Sequence, residues 1–161
     1  MLFRSLTHDE IAEIAETAIA KNIDGLIVSN TTVARPASLK SRNAPEPGGL
    51  SGEPLFEAST ERLRDFYRLV GRRIPLVGAG GIGSGAQAYA KIRAGASLIQ
   101  LYTALVYRGP GLVAEIKRDL AGFLRRDGFA SIAAAVGADY PREPVGPGQR
   151  ATERKENGHG P

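Results

Sequence analysis

Apolar positions along this chain switch between helical stripes and short unbroken runs. Ile11, Ile14, Ala15, Ala18 and Ile19 recur at i, i+3, i+4, i+7 and i+8, the single stripe of an amphipathic helix. Thr7-His8-Asp9-Glu10 in front of it fits a capping box, so the helix is predicted from Thr7 to Lys21. Gly25-Leu26-Ile27-Val28-Ser29 then reads as a strand whose lack of alternation suits a parallel sheet covered on both faces. A loop rich in Pro, Gly, Ser and Asn is predicted from Asn30 to about Ser59, long enough to be either functional or disordered. Thr60 to Val70 reads as a second helix, with Leu63, Phe66, Tyr67 and Val70 on one face. Strand Ile74–Gly78 runs into Gly80-Gly81-Ile82-Gly83, and Ser84-Gly85-Ala86-Gln87 is a second capping box opening a helix that ends at Ala94 before Gly95. A third strand is predicted over Ala96–Tyr102, leaving through Thr103-Ala104-Leu105. Pro110 starts a long helix striped by Leu112, Val113, Ile116, Leu120, Phe123 and Leu124, and a short helix is predicted near Ser131–Val136. Residues 141–161 are Gly-, Pro- and charge-rich and read as a disordered polar tail.

The resulting order, α-β-α-β-α-β-α, makes a parallel sheet with right-handed crossovers. Two α/β architectures remain open for three such strands: a small doubly wound sheet, or a section of a β/α barrel. At 161 residues, 42% hydrophobic and 24% charged, the chain has the size and composition of one soluble globular domain. It has no cysteine and only two histidines, which removes disulfides, thiolate nucleophiles, Cys-ligated metals and an all-His metal site. No apolar run approaches the roughly 18 residues of a membrane span, and the start of the chain does not read as a signal peptide. A net charge of +4 permits an anionic partner. However, the basic residues are spread out beside acids such as Glu115, Asp119 and Asp127, so a solvated helix surface is preferred to nucleic-acid binding.

Ligands in either architecture bind beyond the C-terminal ends of the strands. Gly78, Gly80 and Gly83 satisfy G-x-G-x-x-G between a strand and a helix, where backbone N–H groups can approach a phosphate. A dinucleotide fold also needs an acid at the end of the next strand, but Gln100-Leu101-Tyr102-Thr103 has none. The glycines are therefore read as a barrel-type phosphate loop, in preference to a plain tight turn, with Tyr102 and Thr103 supplying amides and a hydroxyl. Asn30, Thr31 and Thr32 could recognise a planar, amide-like ligand, although ordinary turn chemistry explains them as cheaply. Gly48-Gly49-Leu50-Ser51-Gly52 is equally a hinge or an anion cradle. No His, Cys or Lys stands at a strand end, Lys91 being assigned to a helix, so no general base is evident.

Four strings in this order and spacing carry a resemblance: Asp24-Gly25-Leu26-Ile27-Val28-Ser29-Asn30-Thr31-Thr32, Gly48-Gly49-Leu50-Ser51-Gly52, Gly78-Ala79-Gly80-Gly81, and Gly95-Ala96-Ser97-Leu98-Ile99-Gln100-Leu101-Tyr102-Thr103. From about Leu6 to Tyr140 the chain resembles the C-terminal part of a dihydroorotate dehydrogenase, most closely the class 2, quinone-dependent branch. The resemblance implies a partial (β/α)8 barrel over residues 1–140, with the three strands as barrel strands six to eight. It also implies FMN as cofactor, dihydroorotate oxidised to orotate in pyrimidine synthesis, and a quinone as electron acceptor. Asn30 and Thr31 would bind the orotate ring, Ser29 the flavin, and Gly52, Gly81, Tyr102 and Thr103 the FMN phosphate end. No catalytic residue is assigned, because that family's Ser base and flavin-contacting Lys lie upstream of the segments matched here. The chain alone is expected to be inactive, to hold FMN weakly at most, and to be cytoplasmic, whereas the intact family docks on an inner membrane. Its open sheet edges predict association with an N-terminal half or with itself. The rival reading is a standalone phosphate- or flavin-binding module without redox chemistry, and a third is a scaffold half-barrel that pairs with a second copy.

Overall fold

The computed structural model describes residues 6–140; 1–5 and the stretch read as a tail, 141–161, lie outside the described residues. Helix α1, His8–Ala20, begins with the reciprocal cap read from the sequence: Glu10 N–H donates to Thr7 Oγ1 at 3.2 Å, and Thr7 N–H donates to Glu10 Oε2 at 2.8 Å. Strand β1 is Leu26–Val28, β2 Leu76–Ala79 and β3 Ala96–Gln100, paired in that order and all parallel.

Between β1 and β2, helix α2 spans Phe56–Val70, four residues earlier than the sequence pattern suggests, after a 3-10 turn over Glu53–Leu55. Pro54 presets the first turn. Ser59, which reads as a loop residue, and Thr60, read as the helix start, set their hydroxyls 3.1 and 2.7 Å from the Phe56 carbonyl one turn back. Helix α3, Gly85–Arg93, follows β2 with Ser84 as its N-cap. The third strand stops two residues short of its expected end, because the chain coils into an unforeseen helix α4, Thr103–Arg108. Helices α5, Gly111–Arg126, and α6, Ile132–Ala135, complete the described fold.

The helices cover only one face of the sheet. Ile11, Ala15 and Ala18 of α1 and Leu63, Phe66 and Val70 of α2 close over Val28, Leu76 and Ala96. Ala88 of α3 meets Leu112 and Ile116 of α5 beyond β3, while Val113, expected in the α5 stripe, is exposed. The opposite face is bare. Ile27, Val77 and Leu98 are register partners across it, and Ile27 and Leu98 remain 60% and 63% exposed. A register shift between Leu76 and Val77 sets Val77 opposite Leu98 rather than Ser97, so Leu98 joins this row. The expectation of a sheet covered on both faces is thus corrected: the unbroken apolar runs mark helix-facing residues alternating with residues that face the interior of a barrel. A doubly wound sheet is excluded.

One charged side chain is sealed into this packing. Lys91 of α3 is 0% exposed, and its Nζ donates to Ser59 Oγ at 2.6 Å and to the Ala79 carbonyl at 3.1 Å, with the Phe56 ring centroid 5.4 Å away. Burial pushes its amine down to about 7; Arg64 adds to the fall and Glu57 opposes it.

Two stability measurements follow from this packing. Leu63→Ala, at a fully buried site, is expected to cost about 2–5 kcal/mol in urea unfolding, whereas Leu98→Ser on the bare face should stay within about 0.5 kcal/mol. For Lys91, the folded amine releases its proton near 7 and the unfolded one near 10.5, so the unfolded chain binds the extra proton between those values. Stability is therefore expected to rise from pH 7 to 9, by up to about 1.4 kcal/mol per pH unit from this group. Lys91→Met should remove that rise, and an unchanged slope in the variant would refute the assignment.

Candidate functional site

Parallel pairing brings the C-terminal ends of β1, β2 and β3 to one edge, and four loops meet there. Thr32 and Leu50 form an isolated antiparallel bridge, Leu50 N–H donating to the Thr32 carbonyl at 2.7 Å, which lays the Gly48–Gly52 segment against the end of β1. Thr31 packs so tightly on Gly49 that any Cβ there would overlap its hydroxyl. At the other end of the segment, Thr103 Oγ1 lies 3.3 Å from Ser51 Oγ, joining it to the exit of β3.

Arg35, inconspicuous in the sequence, organises the rest of this loop. Its guanidinium donates to the carbonyls of Val33 at 3.1 Å, Ala44 at 2.9 Å, and Glu46 and Gly48 at 2.8 Å each. The long segment after β1 is thereby folded onto a single cation.

An open cleft of about 1000 Å³ lies between the loops, at the upper end of the size of small-molecule sites. Ser29, Asn30, Thr31, Gly52, Gly81, Tyr102 and Thr103 all line it, whereas Thr32, Gly48, Gly49 and Gly78, also candidates in the sequence, do not. Asn30 is exposed, and its Oδ1 accepts from Thr31 N–H at 2.8 Å, holding the carboxamide against the backbone. Tyr102 is 80% exposed, so its ring lies away from the protein while its backbone caps α4, the carbonyl accepting from Leu105 N–H at 2.9 Å. The Val28–Ser29 peptide bond is cis.

The glycine loop after β2 is the most constrained wall. Gly80 and Gly81 have φ of +94° and +74°, in the left-handed region that side chains disfavour. A Cβ on Gly80 would sit 2.8 Å from Ser59 Oγ, and one on Gly81 would overlap the Phe56 backbone. The Ser84–Gln87 box is present in altered form: Gln87 N–H donates to Ser84 Oγ at 3.2 Å, but the Gln87 side chain accepts from Gly83 N–H, at 2.8 Å, rather than from the Ser84 amide. Gly83 is thus withdrawn as an anion donor. Gly80 and Gly81 border the cleft; the pairing of Ala79 with Gln100 directs the Gly80 N–H along the sheet toward β3, whereas the Gly81 N–H has no acceptor among the described residues.

Charge around the cleft is sparse. Among its lining residues the charged side chains are Glu53 and Arg108, and Arg108 donates to the Gly83 carbonyl while pairing with Glu115 at 2.8 Å. No His, Lys or Asp is among them. Among the described residues no cluster of His, Cys, Asp or Glu could hold a metal ion. Two cations were missed by sequence reading. Arg108 follows from the unforeseen helix α4, while Lys91, set aside as a helix lysine, reaches the underside of the glycine loop. Its readable signal was its place between Ala88 and Ile92, both of which α3 buries.

Known proteins agree with this geometry. The family model for dihydroorotate dehydrogenase matches residues 4–124. The chain is 62% identical over 129 residues to "Dihydroorotate dehydrogenase (quinone)" of Xanthobacter autotrophicus, covering 80% of this chain and 36% of that protein. It is 54% identical over 136 residues to the mitochondrial quinone enzyme of Arabidopsis thaliana, covering 84% and 30%. A crystal structure of ligand-free DHODH from Eimeria tenella superposes with a TM-score of 0.81 at 41% identity, over 84% of this chain and 38% of that one. The chain therefore spans about a third of the length of these relatives, and its three strands are part of a TIM barrel. The bare sheet face, the converging loops and these matches have one explanation: the chain belongs to the dihydroorotate dehydrogenase family.

Proposed function

We propose that this chain forms the phosphate and substrate-ring side of the cleft of a quinone-dependent dihydroorotate dehydrogenase. The carrying observation is the convergence of the four motif loops on one cavity, at whose wall the Gly81 amide stands without an acceptor among the described residues. The cofactor is a flavin, and FMN in particular suits this wall. Its phosphate would meet Gly81 with Gly52, Tyr102 and Thr103, close to the positive end of α3. Ser29 would contact the flavin ring. Asn30 and Thr31, which offer an amide and a hydroxyl, would hold the planar orotate ring by its donors and acceptors.

FMN bound here would take the reducing equivalents removed from dihydroorotate and pass them to a quinone. The lining side chains of this chain bind and orient, and none of the residues named for the site is assigned as the base that removes the substrate proton. Quinone chemistry places the acceptor at a membrane, and among the described residues no helix is long and apolar enough to cross one. The uncovered row of Ile27, Val77 and Leu98 favours association with the remaining barrel strands or with another copy of the chain.

Equilibrium titration of the chain with FMN, followed by flavin fluorescence, tests this assignment. Thr103→Ala is expected to weaken FMN binding several-fold while leaving the effect of orotate on the bound flavin spectrum. Asn30→Ala should leave FMN binding intact and abolish the orotate effect. Dihydroorotate-dependent quinone reduction by the chain alone is expected to be absent. Turnover above background would overturn the binding-only assignment, and a chain indifferent to FMN at any concentration would remove the flavin assignment altogether.

A further inference from the structure

We infer that Lys91 is a positioning residue for the flavin phosphate, acting from beneath the glycine loop to turn the Gly81 amide toward the cleft. This rests on the phosphate reading above and adds the device that builds the site. Lys91 Nζ donates to the Ala79 carbonyl at 3.1 Å and to Ser59 Oγ at 2.6 Å, and Ser59 Oγ in turn lies 3.1 Å from the Gly80 carbonyl. Two successive carbonyls of the loop are thus drawn inward onto one amine, the second through a serine.

Within a trans peptide plane the carbonyl of one residue and the N–H of the next point in opposite directions. The peptide between Gly80 and Gly81 is not among the cis bonds. Pulling the Gly80 oxygen down therefore turns the Gly81 N–H up, while the Gly80 N–H stays directed along the sheet toward β3. The Gly81 N–H is the amide without an acceptor among the described residues that borders the cleft.

The charge balance points the same way. No carboxylate is in hydrogen-bond contact with Lys91 among the described residues; its direct partners are neutral oxygens, and the attraction of the more distant Glu57 is smaller than the repulsion from Arg64. A lysine serving only to fill the core would be replaced at little cost by an apolar side chain, since buried charge without a counter-charge is unfavourable. An anion bound at the Gly81 amide supplies a nearer counter-charge from the far side of the same peptide. Lys91 need not touch that anion to assist it.

The test uses the full chain and two probes, FMN and riboflavin, which differ by the phosphate. Wild type is expected to prefer FMN in equilibrium titrations. Lys91→Met should lose about ten- to a hundredfold of that preference, the scale of charge-assisted hydrogen bonds, with riboflavin affinity little changed. Because the chain has no cysteine, Lys91→Cys can be alkylated at a single thiol with bromoethylamine in denaturant and refolded, restoring an amine of nearly the same length. That product should regain the preference. If Lys91→Met does not fold, Ser59→Ala, which removes the link between Lys91 and the Gly80 carbonyl together with the contact to the Phe56 carbonyl, is expected to show a loss of the same kind. A folded Lys91→Met or Ser59→Ala protein with the full wild-type preference would overturn the inference while leaving the phosphate site standing. A wild-type chain that does not distinguish FMN from riboflavin would instead remove the phosphate reading, and this inference with it.

Discussion

The parallel register of three short strands is the constraint from which everything else in this molecule follows. It sends all three C-terminal ends to one edge, where the loops that carry chemistry have no choice but to meet. It also demands crossover helices, which share one hand and, with the strands in the sequential order β1-β2-β3, pile onto a single face. The other face is then left with Ile27, Val77 and Leu98 in a row, a surface that only further strands or another chain can cover. Site and incompleteness thus have one origin. A sheet that curves toward a barrel interior presents its ligand loops at the top and its unfinished core at the side.

Much of the fold could be read from periodicity because the helices obey it. The stripe of Ile11, Ala15 and Ala18, the cap at Thr7 and the α2 positions Leu63, Phe66 and Val70 are local statements, and local physics decides them. The strands were harder. Leu26-Ile27-Val28 is apolar throughout, and nothing in three residues says which face a helix will cover. Burial on both faces and burial on one face toward a barrel interior leave the same string. The four residues of α2 before Thr60 escape the pattern because Ser59 looks like a loop former, and its hydroxyl contact with the Phe56 carbonyl makes it acceptable inside a helix. Helix α4 was hidden behind the strand that precedes it.

The site shows the same division. Its glycines and the Asn30-Thr31 pair were visible because turn geometry and exposed polar groups leave a mark in composition. Their convergence was visible only through the family resemblance, since Thr32 meeting Leu50 and Thr103 meeting Ser51 are long-range events. Arg35 and Lys91 were not legible as site residues. Arg35 gains its role from four carbonyls scattered over sixteen residues of loop, numbers 33 to 48, and Lys91 from a serine thirty-two positions earlier.

These two cations illustrate how a loop of glycines acquires a definite shape. Glycine permits unusual backbone angles but does not select among them, and its freedom costs entropy when the loop is ordered. Selection has to come from groups that hold the carbonyls. Arg35 does this at the surface, where its charge stays in contact with water and its guanidinium spans several acceptors at once. Lys91 does it in the interior, where desolvation makes the charge expensive and a neutral oxygen is a poor substitute for a counter-ion. A buried lysine in that place is a worse structural staple than the surface arginine. The difference becomes intelligible if the interior cation has a second partner, an anion on the other side of a peptide it holds.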